Sequence, residues 1–457
     1  MSGPRRPGAR RRTPLTIVVF GSSGDLATTK VLPAVEGEMK AGRLPGPVRT
    51  VGVDRRPPAN GAPSWLRFVE GDLTRQETYA TLAEAMKGGS APAGRALFYL
   101  ATVPKLFPEI VRGLRSAGLA TPGSRVAVEK PFGVDLKSSR LLEGRLLSSF
   151  APKRIFRVDH FLWKAGTVSL EHFRFADGRL EGVWNNRFVD CVQITADEDS
   201  AVAGRGDFYD SVGVVRDMVQ NHLLQLLCLA AMDRPGSRSA RSRGAAEEML
   251  LGSVAPISPQ DVVLGQYRGY GRVAGVRRGS TTPTFVALKV SIKNRRWGGV
   301  PFYLRSGKLL ARDTVEVVVA FRNGGGAPSG SSRLPRTVRF RVDPGPSVTL
   351  DLGRSEEEWA DRNPGWDGGG EYQRVLRGVL RGDQRRFVDN RFNELSWRLF
   401  DPVVRGGGRP HIYEAGGWGP AASDLLLSRE GRSWLDGRVR RAGQGRRGGT
   451  GPFPALP

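Results

Sequence analysis

The stretch LTIVVFGSSGDL, residues 15–26, decides the fold. Its first half, Leu15 to Phe20, is a short apolar run rich in β-branched residues, the pattern of a buried strand. Gly21, Ser22, Ser23, Gly24, Asp25 and Leu26 follow, and a helical pattern runs on to about Gly42. Glycines between a strand and a helix let backbone N–H groups approach a pyrophosphate, and the helix N-terminus favours its charge. Two glycines after a strand also make an ordinary turn; their place at the first strand of an alternating unit is what raises the binding reading. Working outward, VRTVGVD (48–54), LFYLA (97–101) and RVAVE (125–129) read as further strands, the last two separated by a helical segment through Leu114. Alternation of this kind argues a parallel sheet covered by helices.

The end of the second strand is open to two cofactor readings. Asp54 stands where an acid bonds a ribose 2′-hydroxyl, which favours NAD. Arg55 and Arg56 could hold a 2′-phosphate, which favours NADP.

After about residue 150 the pattern changes. VDCVQITA, PTFVALKVSI, TVEVVVAF and TVRFRV read as strands without regular helices between them, as in an antiparallel sheet of an α+β domain. Residues 212–232 form its clearest helix, and stretches rich in Gly, Ser and Pro at 236–245, 323–332 and 364–370 read as loops. The expected organisation is a dinucleotide-binding domain over 15–150 and a larger domain over 151–436. Basic tails at 1–14 and 437–457, rich in Gly and Pro, read as disordered.

A chain of 457 residues suits two domains. No apolar run is long enough for a membrane span, and the N-terminus lacks the apolar stretch of a secretory signal. Cys191 and Cys228 are the only cysteines and there are four histidines, so neither a disulfide framework nor a metal site is expected, and the compartment reads as the cytoplasm. The net charge of +25 suggests a polyanionic partner, but ten arginines lie in the two tails without a carboxylate beside them. The charge alone names no partner; a solvated arginine bias is the plainer reading, and nucleic acid is not the expected ligand.

Six stretches together resemble the glucose-6-phosphate dehydrogenase family: GSSGDLATTKVLPAV (21–35), VAVEKPFGVDLKSS (126–139), RIFRVDHFLWK (154–164), GRGDFYDSVGVVRDMVQNHLLQLL (204–227), RRWGGVPFYLRSGK (295–308) and YEAGGWGP (413–420). They occur in the family's order from about Ile17 to Trp434. The resemblance implies an N-terminal Rossmann-like domain, then a larger domain with an extended, mostly antiparallel sheet, assembled as a homodimer or dimer of dimers. It implies oxidation of glucose 6-phosphate to the 6-phosphoglucono-lactone with hydride transfer to NADP, or to NAD.

His222, in an apolar helix, would by itself be a packed core residue. Asp217 and Asn221 beside it are polar groups that need a reason to sit there, and a neutral imidazole suits proton abstraction from a sugar hydroxyl. The resemblance places the catalytic base at His222 and its carboxylate partner at Asp159, which could otherwise be a plain helix N-cap. It places the substrate phosphate on His160 and Lys164, two cationic donors four apart on one face if DHFLWK opens a helix. It carries Lys130, in EKPFG with a cis peptide at the proline, to a place between cofactor and sugar, and Lys30 to the active site. Glu198, Asp217 and Lys308 match positions that bond sugar hydroxyls. The dinucleotide is expected over Gly21, Ser22, Ser23, Gly24, Asp25 and Leu26, with Lys30, Arg55 and Lys130.

The chain also departs from the family. Phe161 replaces a Tyr, removing a hydroxyl donor to the phosphate, and Trp163 replaces a Gly, which predicts a crowded pocket. Asp313 replaces a basic residue, and Asp343 replaces a Gln near the phosphate. Thr102 and Lys105 interrupt a YLA-x-PP pattern. Only residues 55–65 span a crossover that normally needs a dozen or more, so that edge of the sheet is expected to be simplified. These departures motivate a second reading, a catalytically weak relative that binds or regulates; nucleic-acid binding by the basic tails is a third.

Overall fold

A computed structural model describes residues 14–436, except 45, 60, 88–94, 178–180, 323–333, 354, 360–367 and 407. Of the tails read as disordered, 1–14 and 437–457, only Pro14 is among the described residues; the 323–332 loop and residues 364–367 of the 364–370 loop lie outside them.

The first sheet has six parallel strands: β1 (Leu15–Phe20), β2 (Val48–Asp54), β3 (Leu66–Glu70), β4 (Ala96–Leu100), β5 (Arg125–Glu129) and β6 (Ile155–Val158). Their spatial order is β3-β2-β1-β4-β5-β6. Ile17, Val18, Val19 and Phe20 of β1 are fully buried, as expected for a central strand covered on both faces. Chain order runs from β1 outward to β3, then returns to β4 on the other side of β1. That reversal is the switch point at which such sheets bind ligands, beyond the C-terminal strand ends. β6 pairs with β5, so this sheet continues past the boundary at residue 150 read from the sequence. The link from β2 to β3 is residues 55–65 and has no helix among its described residues, which is the simplified edge expected from its length.

The second sheet has nine strands: β7 (Val189–Asp197), β8 (Val262–Tyr267), β9 (Phe285–Ser291), β10 (Pro301–Gly307), β11 (Thr314–Phe321), β12 (Thr337–Asp343), β13 (Ser347–Asp351), β14 (Glu356–Glu358) and β15 (His411–Tyr413). The order is β14-β13-β12-β11-β7-β10-β9-β8-β15. β7–β10 and β8–β15 are parallel; the other neighbours are antiparallel.

Two helical expectations change. The helix read over 212–232 is broken at Gly213, whose φ of 68° and ψ of 166° are not helical; a π-helical stretch follows at Val215–Leu223 and an α-helix at Leu224–Ala231. The loop read over 236–245 ends early, because Ser239 caps a helix at Ala240–Gly252 by accepting the Ser242 N–H at 3.1 Å.

Candidate active site

The C-terminal ends of the parallel strands converge on one edge. β1 ends in the Gly21 turn, β2 in Asp54, β5 in Lys130 and β6 in Asp159. Gly21 has a φ of 74°, and a Cβ there would lie 2.7 Å from the Ala101 carbonyl oxygen, so the turn closes against β4 only with glycine. The Gly24 N–H donates to the Gly21 carbonyl at 3.0 Å. Helical structure begins at Asp25, with Gly24 and Asp25 exposed and Ser22 buried beneath them. Positive φ at Gly21 and a free helix N-terminus fit a dinucleotide pyrophosphate. Asp54 is committed to this turn: its carboxylate accepts the Ser23 N–H at 3.1 Å and the Arg55 N–H at 2.7 Å. Arg55 pairs with Asp72 at 3.0 Å and stays largely exposed; Arg56 and Lys30 are exposed.

Behind this edge lies the π-helical stretch carrying Asp217, Asn221 and His222. His222 is 1% and Asp159 0% exposed, and His222 Nδ1 lies 2.6 Å from Asp159 Oδ1. The same oxygen accepts the Phe161 N–H at 3.0 Å. Asp159 is therefore both a helix cap and a histidine partner, the two uses left open by the sequence. Asn221 Oδ1 accepts the His222 N–H at 2.6 Å, and Asn221 Nδ2 donates to the Arg216 carbonyl at 2.9 Å, which fixes the backbone that presents the imidazole. Burial lowers the His222 pKa, the Asp159 charge opposes this, and Lys130 reinforces it.

The other expected residues surround this pair. Lys130, joined to Pro131 by a cis peptide, donates to the Asp217 carbonyl at 2.9 Å and to its carboxylate at 2.7 Å. β7 and β10 run parallel with Asp197 opposite Gly307, so the next residues, Glu198 and Lys308, meet in an ion pair. Burial works to raise the Asp217 pKa, but the charges of Lys130, Lys308 and His222 hold it well below the usual carboxylate range. His222, Lys130, Asp217, Glu198 and Lys308 thus form one electrostatic cluster.

His160 and Lys164 do not share a helix face. His160–Trp163 is a single 3-10 turn, and Lys164 has extended backbone (φ −68°, ψ 144°) as the N-cap of the next helix, Ala165–His172. Nor are they two cations. Burial pushes the His160 pKa well below its ordinary value, with His222, Lys130, Lys164 and Lys30 adding. His160 is a neutral hydrogen-bonding group, its ring 4.9 Å from His222. Lys164 Nζ lies 2.5 Å from Asp343 Oδ2. The Phe161 ring stacks on His222 at 3.9 Å. The crowding predicted from Trp163 is corrected: its indole lies against Phe387 at 5.2 Å and over Gly378 of the helix Glu371–Arg381, where a Cβ would come within 2.4 Å of the ring.

Several residues of the site went unread in the sequence. Tyr372 stacks on His160 at 6.0 Å, from a helix two hundred residues downstream. Tyr209 is buried near the Lys308 ammonium, 5.7 Å from its ring. Glu129, which accepts the Tyr99 hydroxyl at 2.6 Å, is pushed by burial to a pKa of about 7, against the lowering effect of Tyr99 and Lys130. Its place directly before Lys130 was the available signal. Among the described residues, Asp159, His160 and His222 also bring three potential metal-ligand atoms within 4.8 Å of one another, a grouping not anticipated from sequence spacing.

Comparison with known proteins agrees with this architecture. Residues 18–168 match the family description "Glucose-6-phosphate dehydrogenase, NAD binding domain", and residues 171–435 match "Glucose-6-phosphate dehydrogenase, C-terminal domain". The chain belongs to the glucose-6-phosphate dehydrogenase family. Glucose-6-phosphate 1-dehydrogenase 2 of Mycobacterium tuberculosis is 35% identical over 92% of this chain and 94% of its own length. Glucose-6-phosphate 1-dehydrogenase 1 of the same organism is 39% identical over 81% and 80%. Among solved structures, glucose-6-phosphate 1-dehydrogenase from Mycobacterium avium aligns with a TM-score of 0.77 at 34% identity, covering 92% of this chain and 98% of that one. A glucose-6-phosphate dehydrogenase in complex with its substrate glucose-6-phosphate aligns at 0.80 and 29%, covering 94% and 100%. The family's first domain binds a nicotinamide dinucleotide, and the two-sheet fold seen here is that of its members.

Proposed function

We propose that this chain oxidises glucose 6-phosphate at carbon 1, giving the 6-phospho-lactone and a reduced nicotinamide dinucleotide. The observation that carries the reading is the buried Asp159–His222 pair, 2.6 Å apart, at the ligand-binding edge of the parallel sheet in a chain of this family. Asp159 holds the proton on Nδ1 and leaves Nε2 free as a base. His222 takes the proton of the C1 hydroxyl, and Asp159 stabilises the imidazolium that forms. Glu198, Asp217 and Lys308 orient the ring hydroxyls, Lys130 lies between sugar and cofactor, and His160 and Lys164 receive the phosphate. A bound nicotinamide would supply the hydride acceptor for carbon 1. Lowering of the His222 pKa by burial keeps the base unprotonated at neutral pH.

NADP is the proposed cofactor. Asp54, which would favour NAD, is occupied by two backbone N–H groups, whereas Arg55 and Arg56 stand exposed where a 2′-phosphate would lie. Gly21 to Leu26, with Lys30, would hold the dinucleotide. Assembly as a homodimer or dimer of dimers belongs to the same reading, as does a reducing cytoplasmic setting, in keeping with free, buried Cys191 and Cys228. No described helix is long and apolar enough to cross a membrane. A binding or regulatory role without turnover is not favoured, since the Asp159–His222 pair is in place.

The test is reduced-nicotinamide absorbance with glucose 6-phosphate and each cofactor, before and after chelator treatment. Turnover that prefers NADP and survives the chelator is expected. No turnover with either cofactor would overturn the reading; loss to chelator, restored by metal, would assign Asp159, His160 and His222 to an ion instead.

A further inference from the structure

At the phosphate end of the site, charge is already balanced. Lys164 Nζ and Asp343 Oδ2 are 2.5 Å apart, the lysine 14% and the carboxylate 50% exposed. Backbone packing enforces this meeting. Lys164 caps the helix Ala165–His172 and Asp343 ends β12. Gly166 lets the two elements touch: a Cβ there would lie 2.4 Å from both the Arg341 carbonyl oxygen and the Val342 Cα. The partners are 179 residues apart in sequence, yet their backbones are held side by side.

Two of the lysines at the site are already paired, Lys130 with Asp217 and Lys308 with Glu198. Burial pushes the His160 pKa well below its ordinary value, with His222, Lys130, Lys164 and Lys30 adding, so His160 brings no positive charge at neutral pH. A second acid, Asp313, lies within the same field: burial raises its pKa, the charges of Asp199, Glu198 and Asp343 add to this, and Lys164 opposes them. A dianionic ester arriving here exchanges one charge-assisted bond on Lys164 for another and leaves the displaced Asp343 carboxylate close by. A ligand gains only the difference between what it forms and what it displaces.

Resting on the reading of Lys164 as the phosphate lysine, we propose that Asp343 competes with the substrate's phosphate for Lys164 and is the specificity-determining residue of this site. It raises the KM for the sugar phosphate while leaving the chemistry at carbon 1 untouched, and so narrows the preference for a phosphorylated over an unphosphorylated aldose. The discrimination between the two substrates is thereby set by β12, an element remote in sequence from the Asp159–His222 pair.

The experiment compares the full-length enzyme with Asp343→Asn, and with Asp343→Gln should the first variant fold poorly. KM and kcat are measured for glucose 6-phosphate and for free glucose, and inorganic phosphate is titrated calorimetrically into each protein. Expected are a fall of about tenfold or more in KM for glucose 6-phosphate, the scale of one charged hydrogen bond, unchanged kcat, and free-glucose kinetics within about twofold. Inorganic phosphate should bind the variant tighter by a similar factor, and the gain should vanish in a Lys164→Ala background. An unchanged KM, an equal change for both sugars, or a gain that persists without Lys164 would overturn the proposal. The calorimetric arm needs no turnover, so an inactive wild type would defeat the proposed reaction while phosphate affinity still decides the role of Asp343.

Discussion

One nitrogen of His222 is committed to Asp159, and that commitment sets what the other can do. A buried imidazole resists protonation, and here burial outweighs the opposing charge of Asp159. The base is unprotonated, hence active, above its lowered pKa, so the acid limb of kcat/KM should fall below the ordinary histidine value of about 6.5. His222→Asn should keep the fold and lower kcat by about 10²–10⁴-fold, the usual worth of a positioned base. The variant should also lose or move that acid limb. Near-normal turnover in a pH–rate series on the variant would make His222 a packed core residue. Legibility at this scale was uneven. RVDHF and VQNHLL named Asp159 and His222 through motif resemblance, and their polar neighbours in an apolar segment gave independent reason to look. Nothing local named Tyr372, whose only reason to be near His160 is the packing of a distant helix. Nor could spacing show that burial discharges His160, or that Lys164 already has a partner: both depend on groups far away in sequence.

Among the elements, the β2–β3 link carries the arginines to which the proposed preference for NADP is assigned. Residues 55–65 turn back without a helix, so Arg55 and Arg56 stay at the rim beside the Gly21 turn. Arg55→Ala should weaken NADP by about 1.5–3 kcal/mol, a charged hydrogen bond, and NAD much less; equal losses in KM for both cofactors would place the 2′-phosphate elsewhere. The short link was legible by counting residues, because a crossover has a minimum length. Strands were legible through their apolar runs, whereas the break at Gly213 and the π-helical stretch were not, since periodicity does not separate π from α turns. The arginine excess also finds an explanation among the elements. Arg174 donates to the carbonyls of Leu229, Ala230 and Met232 at the end of one helix, and Arg125 to Val379 and Leu380 at the end of another. Guanidinium groups here serve as helix C-terminal partners, so part of the charge belongs to the architecture and calls for no polyanion.

At the scale of the molecule, the second sheet is tied to the last described residue. Arg305 of β10 is fully buried between Asp197 at 2.6 Å and Asp436 at 2.8 Å, and its neighbour Arg312 donates to the Asp436 carbonyl at 2.8 Å. Asp436→Ala takes one of two carboxylates from the buried Arg305 and leaves Asp197, so it should cost about 1.5–3 kcal/mol in denaturant unfolding, the scale of a charged hydrogen bond. Removing residues 1–12 and 437–457 should leave kcat nearly unchanged, because those segments carry no catalytic motif. A folded truncation that loses activity would give the tails a part in catalysis.

The position of Asp436 bears on how the protein is made. Asp197, which shares Arg305 with Asp436, directly precedes Glu198, the partner of Lys308. The Asp159–His222 pair is encoded in the first half of the chain, but the guanidinium beneath the end of β7 waits for residue 436. A polypeptide released before that point carries both members of that pair above an Arg305 that has Asp197 but lacks Asp436. Full neutralisation of Arg305 therefore waits until residue 436 has been synthesised, and a product terminated earlier lacks one of the two carboxylates of this buried cluster.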